Sequence, residues 1–181
     1  MSLTAVTAAI APGVAGALTH GPAPRLTLGC IWAKAPEHVT PILTTAQASV
    51  DLGQTVKYAG ATGPLSNYNC TWEGKPLPKV ANPESPKYTV QLWVDLYWSA
   101  SPTAANKLYH QMLTSWGTST AVHGLGTAAA YIPGQDIVTA QIVVLSGPTV
   151  FWVELSTKEA LATQRHQLLT VAHQVVTRLA L

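Results

Sequence analysis

Side chains alternate without a break from Tyr88 to Trp98, in the stretch YTVQLWVDLYW. Tyr88, Val90, Leu92, Val94, Leu96 and Trp98 fall on one side; Thr89, Gln91, Trp93, Asp95 and Tyr97 fall on the other. A period of two sends successive side chains to opposite faces of a pleated strand. The first side is unbroken apolar surface and is expected to lie on a core. The second mixes aromatic rings with polar groups, so it meets either solvent or a partner.

Helical periodicity follows. Ser101 before Pro102 is a strong start signal, serine as N-cap and proline at the first helical position. Ala105, Leu108, Tyr109, Met112, Leu113 and Trp116 then recur at the spacing of one amphipathic face, and Gly117 ends the run. This Met and aromatic stripe reads as core, not as a ligand box. Upstream, Thr44-Thr45-Ala46-Gln47 fits a capping box and opens a short helix over Thr45 to Leu52, with Gly53 as its stop. Downstream, Ser156-Thr157-Lys158-Glu159 fits a second capping box. It predicts a last helix from about Thr157 to Leu181 with Leu161, Leu168, Ala172, Val175 and Leu179 as its stripe, widened by Leu169 and Val176.

Between these lie further strands and breaks. Gln54 to Ser66 holds Gly60, Gly63 and Pro64 and reads as loop. Tyr68 to Glu73 is a short strand. Gly74 to Pro86 carries four prolines and reads as an extended, stiff connection. Gly124-Leu125-Gly126 suggests a tight turn into a strand at Thr127 to Tyr131. Pro133-Gly134-Gln135-Asp136 is a turn, and Ile137 to Leu145 and Thr149 to Leu155 form a hairpin across Ser146-Gly147-Pro148. The expected fold is α+β over residues 40–181. A twisted antiparallel sheet of about five strands packs against two long helices, with a short N-terminal helix at 45–52 on one edge. Residues 1–39 read as a mobile or export-related segment. Ala15-Gly16-Ala17 resembles a cleavage site, although no basic residue precedes it.

Composition narrows the function classes. Charged residues make up only 10% of the 181, well under the usual quarter, and the formal net charge is +2. The ten Lys and Arg residues are scattered, which argues against a nucleic-acid face and gives an anionic-membrane patch no support. The two cysteines, Cys30 and Cys70, read either as buried thiols or as one disulfide in an oxidising compartment, with the weight on the disulfide. Leu26-Thr27-Leu28-Gly29-Cys30 loosely matches a lipid-attachment box, but a Pro-rich segment precedes it. Asn69-Cys70-Thr71 matches a glycosylation sequon, which matters only in a secreted eukaryotic protein.

No cofactor or metal is expected. Gly-Leu-Gly lacks the third glycine of a dinucleotide fingerprint, and no phosphate-binding loop occurs. His166 and His173 share a helix face but stand about 10.5 Å apart, too far to chelate one ion as a pair. No nucleophile elbow surrounds a serine, and neither cysteine has a local histidine. Asp95 and Glu154 both fall on expected strands and would form an acid–base pair were those strands neighbours. The ligand-binding candidates are Gln91, Trp93, Asp95 and Tyr97 on one strand, with Trp152 and Glu154 on another. Large rings beside a few polar groups suit a sugar, a lipid or a peptide.

The order of parts resembles a known family. Leu43-Thr44 through Leu52-Gly53 is followed by Cys70-Thr71-Trp72, a long strand, a helix, Gly124 to Ala129, a hairpin and a helix ending Val176-Thr177-Arg178-Leu179. Over about residues 40–181 this resembles the actinobacterial exported lipoproteins of the domain-of-unknown-function family numbered 3558. The resemblance implies export, a lipidated cysteine and a bridge to the Cys-x-Trp cysteine. Where that family carries its first domain cysteine, this chain has Pro41-Ile42-Leu43, which leaves Cys30 to pair with Cys70. The function so implied is a non-enzymatic cell-envelope binding or sensor domain, extracellular or anchored to the membrane through its N-terminus. Its partner would be a small apolar or glycan ligand or an envelope protein. The alternatives are a glycan-acting hydrolase using paired carboxylates and a structural module of an envelope assembly.

Overall fold

The computed structural model describes residues 29–35, 38–63, 67–76, 89–134, 139–157 and 159–179. The Ala15-Gly16-Ala17 site and the first three residues of the lipid-box match fall outside the described residues. So do Tyr88, most of the Pro-rich connection, Gln135-Asp136 and Lys158 of the second capping box. In chain order the elements are β1 (Gly29–Ala35), β2 (His38–Thr44), α1 (Thr45–Asp51), β3 (Lys57–Thr62), β4 (Asn67–Pro76) and β5 (Thr89–Trp98). There follow α2 (Pro102–Trp116), β6 (Thr120–Val122), β7 (Ala128–Ile132), β8 (Thr139–Ser146), β9 (Thr149–Ser156) and α3 (Leu161–Leu179).

The class α+β holds, but the expectation of about five strands on two long helices is corrected. One antiparallel sheet has seven strands in the order β3-β4-β5-β9-β8-β7-β6, and β1 and β2 form a separate hairpin. Of the three helices only the C-terminal one is long. Two edge strands were missed because they carry little pattern. β3 (KYAGAT) is largely exposed and slips register between Tyr58 and Gly60, and β6 is three residues long. The chain runs through β3-β4-β5, passes along α2 to the far edge, and returns through β6-β7-β8-β9. β9 thereby lands beside β5 and joins the two halves.

The alternation in β5 sets the sheet's two faces. Val90, Leu92, Val94 and Leu96 are buried, whereas Trp98, expected on the same dry side, is 39% exposed at the strand's end. Below that side lies the larger core, with Ile142 and Val144 of β8, Phe151, Val153 and Leu155 of β9, and Leu168, Val171, Ala172 and Val175 of α3. α2 packs on the opposite face, where Ala105 and Tyr109 meet Val143, Leu145 and Val150. The helices therefore flank the sheet and do not share one face. Each fully buried Leu, Ile, Val or Phe side chain contributes roughly 1.5–3 kcal/mol.

Local signals behave as chemistry requires. Thr44 Oγ1 accepts from the Gln47 backbone N–H at 3.2 Å, and Gln47 Oε1 accepts from the Thr44 N–H at 3.0 Å, completing the capping box of α1. Ser101 Oγ accepts from the Ala104 N–H at 3.2 Å at the start of α2. Gly126 adopts φ +61, and a Cβ there would lie 2.5 Å from the Leu145 carbonyl oxygen. The Gly-Leu-Gly segment is thus a hairpin turn that buries Leu125 between β6 and β7. α3 starts four residues later than expected, and Leu161 is 45% exposed. The buried face includes two glutamines. Gln164 Nε2 donates to the Thr157 and Glu159 carbonyls, and Gln167 Nε2 donates to that of Leu52.

Cys30 and Cys70 form a disulfide with their Cα atoms 5.6 Å apart, tying β1 to β4. β1 lies against β3 and β4, and β2 against α3, so the hairpin roofs the larger core where α3 does not reach. The bridge closes a separation of 40 residues, for which chain entropy gives about 4 kcal/mol. Replacing both cysteines by serine is expected to lower the urea-unfolding free energy by up to about that amount. An unchanged midpoint would show that β1–β2 is held by packing alone.

Candidate ligand-binding face

The mixed side of β5 lies on the face that α2 partly covers. Strand register arranges it in rows across β4, β5, β9 and β8. One row reads Asn67, Tyr97, Val150, Leu145; the next reads Asn69, Asp95, Trp152, Val143; the third reads Thr71, Trp93, Glu154, Gln141. α2 packs on β8 and β9, so it covers the Tyr97–Val150–Leu145 end and stops at Trp152. Tyr97 stacks on Trp152 with centroids 5.0 Å apart, and Trp116 at the end of α2 meets Trp152 edge-on at 5.1 Å. The stacked rings make a wall. Beyond it the floor carries Thr71, Trp93, Asp95, Glu154 and Gln141, all half-buried. Beyond Tyr97, the described residues show no helix packed on β4 and β5 on this side.

All six residues expected from sequence lie on this face. Trp93, Asp95, Trp152 and Glu154 come together as a block of four, Tyr97 is absorbed into the wall beneath α2, and Gln91 sits one row further on. The Gln91 amide donates to Glu73 Oε1 at 3.4 Å. Trp93 pairs with Glu154 across the ladder and Asp95 with Trp152, so the two acids are diagonal neighbours. Such residues are separated by about 7–8 Å, within reach of long side chains.

Four participants escaped the sequence reading. Asn69 Nδ2 donates to Asp95 Oδ1 at 2.7 Å, and Gln141 Nε2 donates to Glu154 Oε2 at 2.7 Å. Thr71 Oγ1 donates to Asn69 Oδ1 at 3.0 Å and fixes which way that amide points. The sequon at 69–71 is therefore a hydrogen-bonded relay whose amide nitrogen is already committed to Asp95. Trp116, read as a core residue, supplies the edge of the wall. Only strand register could have shown the partnership of Asn69 with Asp95, which are 26 residues apart.

Burial raises the pKa of both carboxyls. For Asp95 the Asn69 hydrogen bond opposes it. For Glu154 burial again comes first, the Gln141 hydrogen bond opposes it, and the Asp95 charge adds to it. No cation among the described residues offsets either shift. Elsewhere, a groove of about 280 Å³ between α1 and α3 is lined by Gln47, His173, Gln174, Thr177 and Arg178. Beside it, burial also raises the pKa of Asp51, against a hydrogen bond from Gln174. Among the described residues no three His, Cys, Asp or Glu side chains converge on a metal position, and no helix is long and apolar enough to cross a membrane.

No protein-family model matches the chain, and no curated protein matches it. The likeness to the exported lipoproteins thus rests on the short motifs themselves. The disulfide is compatible with an oxidising compartment.

A carboxyl whose pKa is raised on folding binds more protons in the native state than in the unfolded one, so its contribution weakens as pH rises above the unfolded value. Stability is expected to fall as pH rises from about 4 through the raised native values of Asp95 and Glu154. Asp95→Asn with Glu154→Gln should flatten that slope in urea unfolding at a series of pH values, leaving the part due to Asp51. An unchanged slope in the double variant would contradict the burial of these two carboxyls.

Proposed function

We propose that this chain is a non-enzymatic binding domain of the exported cell envelope, and that it takes its ligand on the floor beside the Trp152–Trp116 wall. The observation that carries this reading is the row Thr71–Trp93–Glu154–Gln141 with its neighbour Asp95, half-buried yet covered by no described helix. An indole set among hydrogen-bonded, pre-oriented polar side chains holds a ligand at low entropic cost. Low charge, the disulfide and the likeness to exported lipoproteins support the location, and anchoring through the N-terminus belongs to the same reading.

A second reading is a glycan-acting hydrolase, favoured by the diagonal placement of Asp95 and Glu154 at a separation suited to two-carboxylate chemistry. Acid–base pairs, however, work when their environments push the two pKa values apart. Here burial shifts both in one direction and each carboxylate is tied to an amide, an arrangement better suited to holding than to proton transfer. The third reading, a structural module of an envelope assembly, would use the same face for a protein partner.

Thermal shift against panels of oligosaccharides, lipids and peptides, with the unmodified chain and Trp93→Ala, tests the proposal. The expected result is stabilisation by one class, lost in Trp93→Ala, since ring stacking contributes roughly 1–3 kcal/mol. Stabilisation that survives Trp93→Ala would assign this face to ordinary packing, and release of reducing ends from a glycan would favour the hydrolase.

A further inference from the structure

We propose that the ligand is an oligosaccharide bearing free amino groups, an amino-sugar chain whose ammonium lies between Asp95 and Glu154 while a sugar ring stacks on Trp93. This rests on the binding reading above and names its ligand class. Three observations carry it. First, the floor has a large ring at its centre, and Trp93 and Trp152 alternate with Glu154 and Asp95 in a two-by-two block on adjacent strands. Second, each carboxylate already takes one amide N–H from its own sheet and still has acceptor capacity left. Asn69 donates to Asp95 and Gln141 to Glu154, while an ionised carboxylate only accepts. The two carboxylates therefore offer acceptors beside the ring faces to a ligand that brings donors of its own.

Third, the charge is uncompensated. Neither carboxylate has an ion-pair partner among the described residues, although the chain as a whole is +2. An ammonium supplies the missing charge, hydrogen-bonds either carboxylate and is attracted to an indole face. Anionic glycans are repelled by the same pair. A net positive protein does not collect polycations over its whole surface, so attraction of an amino sugar must be local to the block. A pyranose with several hydroxyls makes fuller use of the floor than a lysine side chain, because Thr71 and the two amide–carboxylate pairs extend past the ring on both sides.

The test is calorimetric titration of the full chain with a glucosamine tetramer, an N-acetylglucosamine tetramer, a glucose tetramer and a tetralysine of equal charge. The glucosamine tetramer is expected to bind about tenfold or more tighter than the other three, the scale of one charge-assisted hydrogen bond. Glu154→Gln should reduce that preference to parity with the neutral tetramers while leaving their weaker binding in place. Asp95→Asn, whose side chain keeps its shape beside Asn69, is the second variant should Glu154→Gln unfold. Neutral tetramers binding as tightly as glucosamine, with loss in Trp93→Ala, would overturn the amino-sugar assignment and leave the binding reading standing. Equal binding of tetralysine would overturn it as well. Absence of binding by every tetramer would overturn the assignment, and the binding reading would then fall only if Trp93→Ala also left every lipid and peptide response unchanged.

Discussion

The pairing of β5 with β9 is the interaction on which the rest of this structure depends. It joins a meander of β3-β4-β5 to one of β6-β7-β8-β9, and among the described residues no other strand pair links them. Leu92, Val94 and Leu96 meet Leu155, Val153 and Phe151 across it, all fully or almost fully buried, so the seam of the sheet is also the centre of the larger core. On its other side the same seam carries Trp93 against Glu154 and Asp95 against Trp152. A slip of one residue in either strand would drive that strand's carboxylate into the core and expose its leucines, valines or phenylalanine, so register here is set by a large burial difference. The geometry of the candidate site is thus fixed by the contacts that hold the sheet together.

Why that side is only partly covered follows from the size of a helix. A helix is about 10 Å across and strands are spaced by about 4.8 Å, so one helix shades about two strands. α3 covers β8 and β9 on one face, and α2 covers the same two strands on the other. On the first face β3 and β4 are covered by β1 of the β1–β2 hairpin, which the Cys30–Cys70 bridge ties to β4. On the second face no described element does this for β4 and β5.

How much of this could be read beforehand depends on whether a signal is local. The start of α1 at Thr44, the start of α2 at Ser101 and the two-faced character of β5 are written in a few adjacent residues, and all three are present. β3 and β6 were missed because edge strands bury little and need no alternation. β1 and β2 were missed because a contact 40 residues away holds them, and β2 contains Pro41. An amphipathic stripe states what a helix buries but not which side of a sheet it joins, so the placing of α2 and α3 on opposite faces has no local mark. The six expected site residues do share a face because alternation is a reliable face assignment. Asn69 and Gln141 had no local mark, since their roles exist only once β4 pairs with β5 and β8 with β9.

The amide–carboxylate pairs then have a physical reason of their own. A carboxylate half-removed from water, with no described cation beside it, loses less on ionising when a donor replaces part of its hydration. Asn69 and Gln141 do this from the strands flanking the β5–β9 seam, one on each side, and Thr71 orients the first of them. Had the face been meant for solvent alone, lysines would serve at lower cost in desolvation. Had it been meant for a second helix, apolar side chains would continue past Val143 and Val150. Rings and internally supported acids at the same positions leave a surface whose carboxylates keep free acceptor capacity, which a donor-bearing partner can use by settling there.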